Sequence, residues 1–318
     1  MIISASRRTD IPAFYSDWLF NRLREGFVLV RNPMNIHQVS KIRLTPDVVD
    51  CIVFWTKNPA NLIQRHCDEL NKIQTPFYFQ FTINPYDKSI EPNVPYKKHI
   101  FSTFIKLSSI VGKERLIWRY DPIIFTDKIT FGYHCKFFEM ITRLLAPYTN
   151  KCIISFLDFY KKTKRNMQSI NVLEPSKDIK ILLCQNLHNI ASRYGLKIVT
   201  CAEALDLSHI GIHHGKCIDP GLIAHLCNGH ILAQKDKNQR EECGCIESID
   251  IGSYNTCRHG CLYCYANFSK EAVERQSSSH NPVSPLLFGE LNSDDNIVER
   301  KMKSIVDRQQ DLLCPMSE

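Results

Sequence analysis

Short apolar runs alternate with longer amphipathic stretches along most of this chain, and that rhythm predicts the fold before any single residue does. IISAS at 2–6, CIVFW at 51–55, FYFQFTI at 77–83, RLIWRY at 115–120, CIISFLDF at 152–159 and LKIVTC at 196–201 have the length and β-branched or aromatic content of buried strands. FVLVR at 27–31 is a further short apolar run. Between these runs, apolar residues recur at helical spacing. Phe14, Trp18 and Leu23 follow Pro12, with Thr9 or Asp10 as cap, and Tyr15 and Trp18 belong to the core. Asn58-Pro59 opens a helix to about 73, and others are predicted over 101–111, 131–145 and 177–194, the last stopped by Gly195.

Strands of this length alternating with helices predict βαβ units and a parallel sheet. SIDIGS at 248–253 is one more strand, running directly into a cysteine-rich stretch. The number of units and the polar residues ending each strand favour a full or partial α/β barrel over an open sheet, because barrels carry their chemistry at the C-terminal strand ends. Those ends are Ser6-Arg7-Arg8, Thr56-Lys57-Asn58, Thr82 with Asn84, Arg119 with Asp121, Asp158, and Cys201 with Glu203. The barrel is predicted over 1–275, with the cysteine-rich region at 201–264 inside it. A C-terminal extension follows over 276–318, with a linker-like SSSHNPVSP at 277–285 and a polar helix over 294–307.

Composition narrows the class. The chain has 318 residues, 44% hydrophobic and 23% charged, as soluble globular proteins do. No run approaches the roughly 18 apolar residues of a membrane span, and MIISASRRTD lacks the basic and apolar regions of a signal peptide. A cytoplasmic protein without membrane association is expected. The net charge of +7 points to anionic partners, nucleic acid among them, but the basic residues are dispersed. There is no P-loop, dinucleotide fingerprint, HExxH or nucleophile elbow.

The cysteines carry the chemistry. Of 14, eight lie between Cys201 and Cys264, while Cys51, Cys67, Cys135, Cys152 and Cys184 sit in hydrophobic or helical contexts as packing residues and Cys314 in the tail carries no signal. Cys257, Cys261 and Cys264 form C-x3-C-x2-C. Three thiolates this close hold three corners of an iron–sulfur cluster and leave one iron without a protein thiolate. Zinc is the alternative, but it favours paired C-x2-C knuckles, and His259 as a fourth ligand is wedged between two others. Cys201, Cys217, Cys243 and Cys245, in polar, glycine-punctuated settings, form a second set for which an auxiliary 4Fe–4S cluster, zinc and free thiols all remain open. Cys227, His213 and His214 are spare candidates.

CRHGCLYC at 257–264 resembles the signature of the radical S-adenosylmethionine (SAM) superfamily, and the following YAN resembles its spore-photoproduct-lyase-like branch. The resemblance implies a 4Fe–4S cluster on Cys257, Cys261 and Cys264, SAM chelated at the unique iron, and Tyr263 beside the adenine. It further implies reductive SAM cleavage to a 5′-deoxyadenosyl radical, hydrogen abstraction from a substrate it does not name, and an electron donor such as flavodoxin or ferredoxin. The motif normally lies near the N-terminus. Here it is C-terminal, an arrangement that also resembles a domain-of-unknown-function family with such a cluster. Circular permutation accounts for the order: SIDIGS is strand one, 265–275 helix one and IISAS strand two, so the two strands must be neighbours. SRRTD-IPAFY, FWTKNP, FQFTIN and RYDPII are similar to the successive strand-end segments of that branch. No glycine-glycine-glutamate motif is present. Arg8, Asp10, Lys57 and Arg119 are therefore the candidates for catalysis, and Arg7, Asn84 and Asp121, with Tyr263, for cofactor binding. Glu203 is a candidate support beside Cys201.

Overall fold

The computed structural model describes residues 1–158 and 161–307. Phe159 of the predicted fifth strand, Cys314 and the end of the extension lie outside them. Eight strands form one parallel sheet: β1 (Ile2–Ala5), β2 (Cys51–Thr56), β3 (Phe77–Thr82), β4 (Leu116–Ile123), β5 (Lys151–Phe156), β6 (Lys197–Thr200), β7 (His213–His214) and β8 (Ile249–Asp250). Their spatial order is β8-β1-β2-β3-β4-β5-β6-β7. From β1 to β7 each strand is hydrogen-bonded to the next in chain order, so the sheet is wound in one direction only. β8 pairs with β1 in parallel, Ile3 opposite Ile249 and Ser4 opposite Asp250. The neighbour relation demanded by permutation is therefore present.

Alternation along the strands sorts their side chains into two cores. Ile3, Ile52, Phe54, Phe79, Trp118 and Ile154 point to one face, where they pack on helical residues such as Trp18, Leu62, Phe104, Phe138 and Leu187. Ile2, Val53, Tyr78, Ile117, Ile153 and Val199 point to the other, where Ile218, Ile223, Cys243, Cys245 and Ile246 cover them. The large helices thus share one face, and a cysteine-bearing segment fills the opposite one.

Of a full or partial barrel, the full closure is not seen among the described residues. The sheet is open, and β7 and β8 are not paired with each other. The segment between them bonds to β6 through Gly215 N and Thr200 O at 2.7 Å, and to itself through Ile246 N and Ile218 O at 3.4 Å. The helix after the cysteine motif spans Lys270–Ser278 rather than 265–275, starting where Ser269 accepts a capping bond from Ala272 N. The polar helix predicted over 294–307 is extended instead. Asn296–Glu299 adds in parallel to Asn35–Arg43, which pairs antiparallel with Phe27–Asn32, so FVLVR lies outside the main sheet. The free edge of that hairpin and the β-branched Ile297 and Val298 favour the strand. Trp18 Nε1 donates to the carbonyls of Ser284 and Leu286 at 3.0 and 3.1 Å, and Arg31 pairs with Asp295, so the extension lies against the N-terminal part of the chain. Among the described residues no helix is long and apolar enough to cross a membrane.

The short strand β8 is held by its last side chain. The Asp250 carboxylate accepts from Ser4 Oγ (2.9 Å), Ser6 Oγ (2.6 Å), Arg7 N (2.8 Å) and Gly252 N (3.0 Å). A Cβ at Gly252 would stand 2.0 Å from Ser6 Oγ, so the turn after β8 accepts only glycine. Asp250→Ala leaves these donors without their acceptor and is expected to cost about 2–4 kcal/mol in urea unfolding. A loss below about 0.5 kcal/mol, the range of ordinary surface changes, would mean that β8 is held by packing alone.

Candidate functional site

A cavity of about 830 Å³ opens at the C-terminal ends of the strands. Its wall includes Cys201, Cys217, Cys243, Cys245, Cys257, Cys261 and Cys264, together with Arg7, Arg8, Asp10, Lys57, Arg119, Asp121 and Tyr263. The structure brings all these predicted residues together from strand ends and loops spread over most of the chain. Asn84 and Glu203 are not in the wall, and neither are Cys227, His213 and His214.

The loop carrying Cys257, Cys261 and Cys264 is fixed by its main chain. Gly260 has φ of 68°, in the left-handed region that favours glycine. Asn93 Nδ2 donates to Arg258 O at 2.8 Å, and Asn93 N to His259 O at 3.1 Å. Asn267 Nδ2 donates to Cys257 O at 2.8 Å, and Tyr15 OH to Thr256 O at 2.5 Å. The thiols are thereby left facing the cavity. Burial raises all three, Cys261 to about 12, so that ligating a metal must displace their protons. His259 is committed elsewhere: its Nε2 meets Asp10 Oδ2 at 2.8 Å. Asp10 also caps the helix Ile11–Phe14 through Ala13 N at 3.0 Å and accepts from Lys57 N at 2.6 Å. It organises the site through three hydrogen bonds.

Lys57 enters a buried charge group. Its Nζ lies 2.8 Å from Glu91 Oε1, while Lys97 and the Tyr263 hydroxyl also bond the Glu91 carboxylate. Burial pushes the Glu91 carboxyl up, but Lys57 and Lys97 outweigh it and hold it down at about 2. Tyr263 also accepts from Asn84 Nδ2 at 3.3 Å. The Asn84 amide is otherwise spent on Asp121, donating to its carbonyl and accepting from its N–H, both at 2.9 Å. Asn84 braces the wall from behind. Glu203 accepts from Phe156 N at 2.8 Å, and its burial raises its carboxyl.

The second cysteine set gathers opposite. Cys201 and Cys217 share an S–H···S contact of 3.0 Å, and Cys245 Sγ accepts from Cys217 N and Ile218 N at 3.2 and 3.3 Å. Arg119 Nη1 donates to Cys217 Sγ at 2.8 Å while its Nε donates to Asp121 Oδ2 at 3.1 Å. Tyr78 OH and Gln80 Nε2 hold the Cys217 carbonyl at 2.6 and 2.9 Å. Contact with the Cys245 thiol lowers Cys243 to about 7, whereas the Cys217 contact and burial push Cys201 well up. Arg7 and Arg119 each lie 5.3 Å from the Trp55 ring centroid. Burial pulls the Arg7 guanidinium down, but Cys245, Cys217 and Asp250 raise it overall, and its buried Nη2 has no hydrogen-bond partner. Among the described residues no three His, Cys, Asp or Glu side chains close around a point as the ligands of a single metal ion do.

Glu91, Gln80, Trp55 and Asn93 escaped the sequence reading. Glu91 sits in SIEPNVPY, whose turn residues indicate a loop and nothing about burial. Glu91→Gln leaves two half-buried ammonium groups without their anion and is expected to destabilise the chain by about 3 kcal/mol at pH 7. A carboxyl depressed from 4.5 to about 2 contributes stability that is present above pH 4.5 and lost as pH falls through about 2. Urea titrations should therefore show the gap between wild type and variant closing over that window. A gap independent of pH would remove the ionic account.

The profile of the family described as Domain of unknown function (DUF1848) matches residues 2–266. No curated protein matches the chain. Among solved structures, a Bacteroides thetaiotaomicron VPI-5482 protein assigned as an alpha-L-fucosidase is similar at 11% identity, over 71% of this chain and 82% of that one, with a TM-score of 0.27. A likeness that slight carries no argument about fold or activity. The family match spans the sheet from β1 to β8 and the whole cysteine motif, and the chain belongs to the DUF1848 family.

Proposed function

We propose that this chain is a radical SAM enzyme, built on a permuted and open version of that superfamily's α/β barrel. One observation carries the reading: Cys257, Cys261 and Cys264, spaced C-x3-C-x2-C, follow a strand of a parallel sheet and line a cavity at the strands' C-terminal ends. The residues fit such a cofactor. The donor set is three thiols in a loop stiffened by hydrogen bonds to its carbonyls, and the wall holds a buried guanidinium nitrogen, Arg7 Nη2, without a partner. An iron–sulfur cluster with SAM supplies there the one-electron cleavage of a C–S bond of SAM and, through the 5′-deoxyadenosyl radical, hydrogen abstraction from a substrate.

The chain's own residues do the rest. The loop presents three thiolates and leaves room for a small chelating molecule. Arg7 offers an N–H to a carboxylate at the wall. Glu91, held by Lys57 and Lys97, accepts from the Tyr263 hydroxyl and so fixes the ring that lines the cavity. The cavity is large enough to hold SAM beside a second molecule, and Arg8, 5.0 Å from the Tyr254 ring centroid, stands at its wall. Thiols rather than disulfides at every described cysteine suit a reducing compartment such as the cytoplasm, where flavodoxin or ferredoxin serves as donor.

After anaerobic reconstitution, wild type given SAM and dithionite should release 5′-deoxyadenosine. Cys261→Ala should release no more than a control without protein. Equal release by the variant, or none by an iron-loaded wild type, would overturn the reading and leave a non-enzymatic metalloprotein.

A further inference from the structure

Three separate segments bring four more cysteines to one wall of the cavity. Cys201 follows β6, Cys217 follows β7, and Cys243 and Cys245 precede β8. They therefore stand where the sheet fails to close, covering its inner face. Cys217, Cys243 and Cys245 are buried and Cys201 half-buried.

Two of the four, Cys217 and Cys245, carry contacts that suit an anionic sulfur. Arg119 is buried and directs Nη1 at Cys217 Sγ from 2.8 Å, with the far side of its guanidinium clamped by Asp121. A neutral thiol gains little from a buried cation, whereas an anionic sulfur balances it. Cys245 Sγ takes two backbone N–H donors, from Cys217 and Ile218. Such N–H···S bonds tune iron–sulfur clusters. Arg7 adds a second positive charge on the same side. The set has no C-x2-C pair of the kind that forms zinc knuckles. It also lacks a tight single-ion centre, and a cluster spreads its four thiolates wider than one zinc ion does.

We propose that Cys201, Cys217, Cys243 and Cys245 hold a second iron–sulfur cluster, and that Arg119 acts as its positioning residue, setting its reduction potential through the bond to Cys217. The inference rests on the iron–sulfur reading of this cavity but not on the loop at 257–264. Both clusters face one space, so the second lies beside the bound substrate rather than on the outer surface.

The test is anaerobic reconstitution with iron and sulfide, followed by iron, sulfide and zinc analysis. Wild type should carry about eight irons, and a Cys257→Ala, Cys261→Ala, Cys264→Ala variant about four, all on the second set. A folded triple variant without iron, or with one zinc instead, overturns the second cluster while leaving the first. About four irons in both proteins would instead retain the second cluster and remove the first. If the triple variant does not fold, Cys243→Ala with Cys245→Ala in the wild-type background decides: a drop from about eight irons to about four supports the site, and an unchanged count overturns it. Arg119→Gln should keep its iron but move the second cluster's midpoint, read by spectroscopic redox titration, to lower potential. An unmoved midpoint removes the role of Arg119.

Discussion

The Asp250 carboxylate is the constraint on which the rest of the structure depends. β8 is two residues long, too short to hold its place by ladder hydrogen bonds alone. By accepting from Ser4, Ser6 and Arg7 it is fastened to the other end of the chain, and by accepting from Gly252 it shapes the turn that follows. The cysteine loop starts from this joint and is then held by Asn93, Asn267 and Tyr15. The same contact sets the main chain at Arg7, whose guanidinium reaches the opposite cysteine set. One half-buried carboxylate thus links β1 and β8 to both groups of thiols.

Charge balance organises the cavity in three groups. Glu91 holds two lysines and a tyrosine on the side of the cysteine loop, Asp10 holds His259 and the Lys57 main chain, and Asp121 holds Arg119. The lysines beside Glu91 and the guanidinium beside Asp121 are held in place by these contacts. Arg7 differs, since its main chain is fixed while a terminal nitrogen stays free. The wall therefore combines paired charges with buried polar atoms that have no partner, Arg7 Nη2 and Trp55 Nε1 among them.

Much of this was legible in the sequence because buried parallel strands are continuous apolar runs and helix starts carry caps. The helix Phe131–Leu145 and the strands at 51–56 and 77–82 lie where periodicity puts them. Barrel closure was not legible, because an open and a closed parallel sheet share the same local pattern and differ only in one long-range pairing. His213–His214 is too short to register as a strand, and its polar residues suggest ligands. Asn35–Arg43 mixes exposed polar and apolar positions, since it pairs in a small sheet apart from the main one. The cysteines were legible as a group because of their density. Their partition around Arg119 and Arg7 was not, because contacts such as Arg119 to Cys217 span 98 residues.

In the proposed reading, Cys257, Cys261 and Cys264 would hold an iron–sulfur cluster at which SAM would bind. Electron paramagnetic resonance of the reduced, iron-loaded chain, recorded with and without SAM, tests it most directly. SAM is expected to change the spectrum of the cluster on that loop. The same spectrum with and without SAM, or no cluster signal at all, would contradict it.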